Sequence, residues 1–147
     1  MSDLIVGYHF RVDFCVNNKY IKDVAFKNVG ILKVDLDLQE KKVGASSVNS
    51  EYIIQGAKYG DLVLERGVTT DSSLYTWLTT QVETKKIKKI PVVVTALDHN
   101  HEPVFSWFFI NTYPVSWETN GFDAMESKLL MEKITLKYDF FKRVNMS

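Results

Sequence analysis

Apolar residues recur at every second position along most of this chain, and that period of two is abandoned once, just after Gly67. In KYGDLVLERGVTTDSSLYTWL, residues 58–78, the run Leu62, Val63, Leu64 closes on Glu65, Arg66 and Gly67. Beyond it Leu74, Trp77, Leu78 and Val82 fall at i, i+3, i+4 and i+8, which places them on one helical face. Thr69, Thr70 and Asp71 carry oxygens able to accept hydrogen bonds from the unpaired amides of a first turn. The spacing predicts a buried strand over Leu62–Arg66 and a helix over Ser72–Val82 whose apolar face covers a sheet. Lys85, Lys86, Lys88 and Lys89 follow. Cations are stabilised at the negative pole of a helix, which is a plainer account of this run than phosphate binding.

The rest of the chain reads as strand. Val6, Tyr8, Phe10, Val12 and Phe14 alternate with Gly7, His9, Arg11 and Asp13. Asn17 and Asn18 suit a two-residue turn leading into Tyr20–Phe26, and Asn28, Val29 and Gly30 suit the next turn. Residues 31–42 alternate most regularly, with Leu32, Val34, Leu36 and Leu38 opposing Lys33, Asp35, Asp37 and Gln39. One face is expected on a core and the other in water. The small and polar segment 41–50 reads as a solvated loop or as an arm that orders on a partner. Tyr52–Gln55 is a short strand closed by Gly56.

After the helix, Ile90–Leu97 is a buried strand, Asp98–Pro103 turns the chain, and Val104–Tyr113 returns it with Phe105, Trp107, Phe108 and Phe109. Pro114 lacks an amide donor and belongs at an edge or a bend. Residues 119–124 read as a loop. In Leu130–Phe140 the apolar face holds Leu130, Ile134, Leu136, Tyr138 and Phe140, and Glu132 falls among them. A carboxylate there needs a partner or an exposed strand end. Arg66, which ends a buried strand, is the expected partner.

These elements sum to a single domain over 1–147, mainly β: an antiparallel sandwich or barrel of about eight strands with one packed helix. With 147 residues and 46% hydrophobic content the chain can bury one core. Eighteen basic and 18 acidic residues cancel. No overall electrostatic footprint for nucleic acid or an anionic membrane results. Cys15 is the lone cysteine, so no internal disulfide forms and a reducing cytoplasm is expected. The first residues carry no basic and apolar pattern of a secretory signal, and the longest apolar run, Trp107–Ile110, is too short to span a bilayer.

Chemistry is harder to find. Asp98, His99, Asn100, His101 and Glu102 cluster within five positions, but without a second cluster they read as turn residues rather than metal ligands. Cys15 sits in a hairpin strand, not at a helix N-terminus that would lower its pKa. Gly56, Gly60 and Gly67 form no phosphate loop. The aromatic band at 105–109 lacks the interleaved basic residues of a base-stacking surface. No catalytic constellation, cofactor site or metal site is expected.

The order of three segments resembles the tail-tube proteins of contractile phages and of phage-tail-like injection particles, relatives of the hexameric tube of type six secretion. The segments are KYGDLVLERGVTTDSSLYTWL, FSWFFINTYPVSWE and ESKLLMEKITLKYDFFKRV. The matching positions are Lys58, Tyr59, Gly60; Glu65, Arg66, Gly67, Val68, Thr69; Trp77; Asn111, Tyr113, Pro114, Val115; and Glu132, Ile134, Leu136, Tyr138. Phe10–Val12 and Val29–Glu40 fit as well. The chain departs from the family at Ile54, Gln55, Gly56 and Ala57, where many relatives carry Leu-Pro-Gly, and at Glu65, where they carry Lys.

The resemblance implies a structural, non-enzymatic subunit. Six copies close into a ring, and rings stack into a hollow tube inside a sheath, with baseplate and terminator proteins at its ends and cargo protein or DNA in the lumen. It implies a lumen-facing set, Lys33, Asp35, Asp37 and Gln39 with Lys133, Thr135 and Lys137. It also implies an arm between subunits formed by Lys42, Val43, Gly44, Ala45, Ser46, Ser47, Val48, Asn49, Ser50 and Glu51. Such a subunit is made in the cytoplasm and assembled into a virion tail or an injection particle, with no membrane insertion of its own. The alternative from the residues alone is a monomeric β-barrel whose aromatic band binds a small apolar ligand. An enzyme using Cys15 or the histidine turn comes third.

Overall fold

A computed structural model describes residues 9–16, 19–26, 28–30, 32–42, 50–68, 73–119 and 130–145. The expected Asn17–Asn18 turn, the helix cap at Thr69–Asp71, the loop around Asn120 and Gly121, and positions 6–8 lie outside them.

Among the described residues ten strands and one helix follow in order: β1 His9–Val16, β2 Lys19–Phe26, β3 Asn28–Val29, β4 Val34–Lys42, β5 Ser50–Tyr59, β6 Leu62–Gly67, α1 Ser73–Thr84, β7 Ile90–Leu97, β8 Pro103–Thr119, β9 Met131–Lys137 and β10 Phe140–Asn145. Eight strands make the main sheet in the order β2-β1-β7-β8-β9-β6-β3, with β10 also on β8, and β4-β5 stand apart as a two-stranded sheet. All pairs are antiparallel. The expected architecture, an antiparallel β fold of about eight strands with one helix, is the one observed.

Strand β8 holds the architecture together. Its first part pairs with β7 from Pro103↔Leu97 to Thr112↔Ile90 and with β10 from Phe105↔Asn145 to Ile110↔Phe140. Its second part pairs with β9 from Tyr113↔Lys137 to Thr119↔Glu132. The final alternating segment is therefore not one strand but two, β9 and β10, laid end to end along β8. The break at Tyr138–Asp139 has a local cause: Asn111 on β8 adopts φ 54°, and its Nδ2 donates to Asp139 Oδ2 at 2.6 Å. The Asp139 amide donates to the Ile110 carbonyl at 2.9 Å. Pro114 sits just past the last β7 pair, where the missing amide costs no ladder bond on that side, and the register shifts between Pro114 and Ser116. The expectation was an edge or a bend; the proline lies inside the long strand, next to this irregularity in the ladder.

The core lies between the faces of the bent sheet. Phe14, Val92 and Phe109 share one row across β1, β7 and β8, and Leu64 and Ile134 face them from β6 and β9, all fully buried. Helix α1 adds Leu74 and Trp77, with the Trp77 ring 6.0 Å from Phe14. Val82, expected on the same face, is 68% exposed. Five positions beyond Trp77 it is rotated by about 140°, off the rim of the covered arc. The lysine run follows the helix instead of lying in its last turn, starting with Lys85 at φ 57° in the left-handed position that ends helices. Asn28 and Val29 are not a turn but the short edge strand β3 on β6. There Gly30 passes so close that a Cβ would stand 3.1 Å from Val63 Cβ.

Candidate functional site

The hairpin β4–β5 departs furthest from expectation. Its regular alternation was expected to put Leu32, Val34, Leu36 and Leu38 on a core. Leu32 does pack against the core, but the strand beyond it is exposed on both faces: Leu36 by 54% and Leu38 by 52%. The physical reason is the partner. β5 is the only strand that pairs with β4 among the described residues, and β5 is itself exposed from Ser50 to Lys58. Nor does β5 end at Gly56; it continues to Tyr59, with the irregularity near Gly56 taken up as a register shift opposite Asp37 and Leu38.

Register separates the hairpin into two chemistries. Val34, Leu36, Leu38 and Glu40 lie opposite Tyr59, Ala57, Ile54 and Tyr52. Directly opposed residues share a face, so this face is apolar, with Ile54 at 60% and Tyr52 at 66% exposure. The other face carries Asp35, Asp37 and Gln39 opposite Lys58, Gly56 and Ile53. There Lys33 Nζ stands 3.2 Å from Asp35 Oδ2, and Gln55 Nε2 donates to Gln39 Oε1 at 2.7 Å. Lys42, Ser50 and Glu51, expected in a soft arm, belong to the ends of these strands through the pairs Lys42↔Ser50 and Lys41↔Glu51. Val43, Gly44, Ala45, Ser46, Ser47, Val48 and Asn49 lie outside the described residues.

The second half of the expected lumen set sits elsewhere. Lys133, Thr135 and Lys137 are on the β9 face opposite the buried Glu132, Ile134 and Leu136. Lys133 Nζ lies 3.9 Å from Glu65 and 3.8 Å from Glu118, a loose bridge over the outer side of the sheet. The structure thus places the two halves of the set in different sheets.

Arg66 and Glu132 meet. They are register partners on β6 and β9, and Arg66 Nε donates to Glu132 Oε1 at 2.7 Å with side chains only 1% and 4% exposed. The other carboxylate oxygen accepts from Trp117 Nε1 at 3.0 Å, and the guanidinium lies 4.5 Å from the Phe26 ring centroid. Burial of an isolated charge is costly, and this pair offsets it with a charge-assisted bond, an indole donor and a cation–π contact. Trp117 was not singled out from sequence; its place on β8 opposite Ile134, two residues from Glu132, is a matter of register alone.

The other candidates for chemistry scatter. Cys15 is half-buried in β1. Asp98 accepts the Asn100 and Glu102 amides at 2.8 and 3.0 Å. The bond from the Glu102 amide is the main reason that its carboxyl is held below the usual range. The aromatic band divides: Phe109 is core, while Phe105 and Trp107 line a cleft of about 280 Å³ with Phe10 and Arg143. No helix among the described residues is long and apolar enough to cross a membrane.

An antiparallel sheet built around one long strand, with a separate, exposed two-faced hairpin, has known counterparts. The sequence profile of the T4-like virus tail tube protein gp19 family matches residues 6–142. The chain belongs to this family. It is a tube-type structural subunit of a contractile phage tail or phage-tail-like particle. A comparison with curated proteins returns no match. Among solved structures, a chain of the six-fold symmetrised baseplate of the anti-feeding prophage is similar at a TM-score of 0.83 and 26% identity, over 100% of this chain and 99% of that one. A chain of the cap that terminates the tube of the same particle gives 0.76 and 20%, over 99% and 93%. A chain of the sheath–tube complex of the PVC extracellular contractile injection system, in its extended state, gives 0.76 and 21%, over 97% and 93%.

Proposed function

We propose that this tail-tube subunit closes with five copies of itself into a ring, that rings stack into a hollow tube, and that the β4–β5 hairpin makes the joints. The observation that carries this reading is the uncovered apolar face of Val34, Leu36, Leu38, Tyr52 and Ile54 on a hairpin that, among the described residues, meets the chain's own core only at its base, through Tyr59. Covering the exposed half of each Leu or Ile by a neighbour contributes on the order of 1 kcal/mol. A ring repeats the contact at every joint, as a heterologous interface that closes by rotation.

In this reading Lys33, Asp35, Asp37 and Gln39 line the lumen, because the face opposite the joint is the polar one, and Lys133, Thr135 and Lys137 contribute the outer face of β9 to the same wall. The arm Lys42–Glu51, of which Lys42, Ser50 and Glu51 are described and end the hairpin, reaches the adjoining subunit in the same reading. The chain does no chemistry itself. A sheath surrounds the tube, baseplate and terminator proteins bound its ends, and protein or DNA cargo passes through it. The chain is made in the cytoplasm and assembles into a virion tail or an injection particle. Support for the partners comes from the relatives, which were solved in a baseplate, a cap and a sheath–tube complex.

Negative-stain microscopy with mass measurement of the purified protein tests this reading. Rings or tubes of six-fold symmetry are the expected result, and a strict monomer at high concentration would overturn it. A second reading is favoured by the greater likeness to the baseplate chain than to the cap chain of one particle. In it the chain forms the ring on which the tube starts, not its repeating shaft. Single rings that never elongate would select this second reading; long tubes from the chain alone would exclude it.

A further inference from the structure

Two histidines that the sequence separates by 92 positions converge on one edge of the sheet. His9 opens β1 and pairs with Leu97, the last residue of β7. His101 lies in the turn that follows, at φ 62°, with its amide donating to the Asp98 carbonyl at 3.0 Å. The left-handed residue aims the His101 ring back across the end of β7. As a result His9 Nε2 and His101 Nδ1 share a hydrogen bond of 2.9 Å, one of the two carrying the proton, with ring centroids at 4.8 Å and planes at 78°.

Two imidazole nitrogens bound at right angles to one ion, each at about 2.0–2.1 Å, also lie roughly 2.9 Å from each other, so the two exposed rings reach that arrangement by turning their facing nitrogens from each other toward a shared ion. The geometry points to a bidentate site in which His9 and His101 hold one divalent late first-row transition ion, Cu²⁺ more tightly than Ni²⁺ or Zn²⁺. The ion takes the place of the shared proton, which moves to the outer nitrogen of the donor ring, so that each neutral ring ligates through the nitrogen facing its partner and keeps a proton on the other. Nitrogen donors at this angle suit the tetragonal preference of Cu²⁺, which also heads the affinity order for such ligands. Mg²⁺ and Ca²⁺ are hard ions that require oxygen donors and are not held. Asp98 spends its Oδ1 on two backbone amides and does not converge on the pair. Among the described residues no third His, Cys, Asp or Glu converges on the pair. Water, or a donor from a neighbouring molecule, completes the coordination.

A bound ion ties the start of β1 to the β7–β8 turn and stabilises the folded chain by mass action. The site is independent of the tube reading, and its test needs no assembly. The untagged full chain is titrated with Cu²⁺ and followed by calorimetry and electron paramagnetic resonance. One ion per chain with two nitrogen donors in the spectrum is expected, together with a rise in Tm. His9→Gln and His101→Gln each weaken binding about tenfold or more, because a single imidazole remains, and each removes the two-nitrogen spectrum. His99→Gln, two residues from His101 on the same turn, leaves both unchanged. Equal affinity in wild type and both variants, or an equal loss in His99→Gln, would overturn the site in favour of independent single-histidine binding.

Discussion

Strands β6 and β4 carry the same alternation and meet opposite surroundings. In β6, Leu62 and Leu64 are fully buried, because β9 supplies Leu136 and Ile134 opposite them and further strands close over the face. In β4, Leu36 and Leu38 are about half exposed, because β5 supplies only Ala57 and Ile54 and no further strand follows. A period of two states that a face is to be covered; it does not state by which molecule. The sandwich answers from within the chain; among the described residues nothing answers for the hairpin, and in the proposed ring a neighbouring copy does so.

The comparison breaks most readily at the buried charge pair. Glu132→Ala removes the acceptor that Glu132 offers to the Arg66 guanidinium and the Trp117 indole. A loss of about 3–5 kcal/mol is expected in urea unfolding, and Glu132→Gln, which keeps an acceptor oxygen, loses less. If Glu132→Gln matches wild type in both folding and assembly, the ionised pair is not what the sandwich requires. Leu64→Ala, a cavity in the same core, costs about 2–5 kcal/mol in the same measurement.

On the hairpin side the prediction inverts. Leu36→Asp changes the stability of the unassembled chain by no more than about 0.5 kcal/mol, as for a surface position, yet rings and tubes disappear from negative-stain images. Asp35→Asn on the opposite face leaves both stability and assembly intact. If Leu36→Asp unfolds the unassembled chain, the hairpin is part of the core after all and the contrast fails.

The smallest effect belongs to the joint between the regions, where Tyr59 at the base of β5 stacks on Tyr138 at 5.9 Å and on Phe141 at 5.1 Å. Burial, reinforced by Asp61 and Tyr59, pushes the Tyr138 hydroxyl from 10.0 up to about 12. The neutral phenol is thus favoured in the folded chain. Its contribution is complete below pH 10 and is lost as pH rises toward 12. Tyr138→Phe, which removes a hydroxyl without a hydrogen-bond partner among the described residues, flattens that alkaline loss in a Tm-versus-pH series.

How much could be read in advance depended on the range of the interaction. The helix face at Leu74 and Trp77, the strand at Leu62–Leu64 and the anomaly of Glu132 are local or periodic, and each was visible in residue order. The expected partner Arg66 was identified because a charge on an apolar face admits few solutions. The cleft at Phe105 and Trp107, the Trp117 donor and the meeting of His9 with His101 were not visible, since each requires knowing which strand lies beside which.

By itself the sequence determined the elements, through the periods 2 and 3.6, and the need for a partner at Glu132, through the cost of burying a charge. The tertiary structure alone decided that β8 serves two parts of one sheet, that the last alternating segment breaks at Tyr138–Asp139, and that the most regular strand stays uncovered. The reason is that alternation fixes which side chains share a face within a strand, whereas burial of that face depends on pairings between residues far apart in the chain.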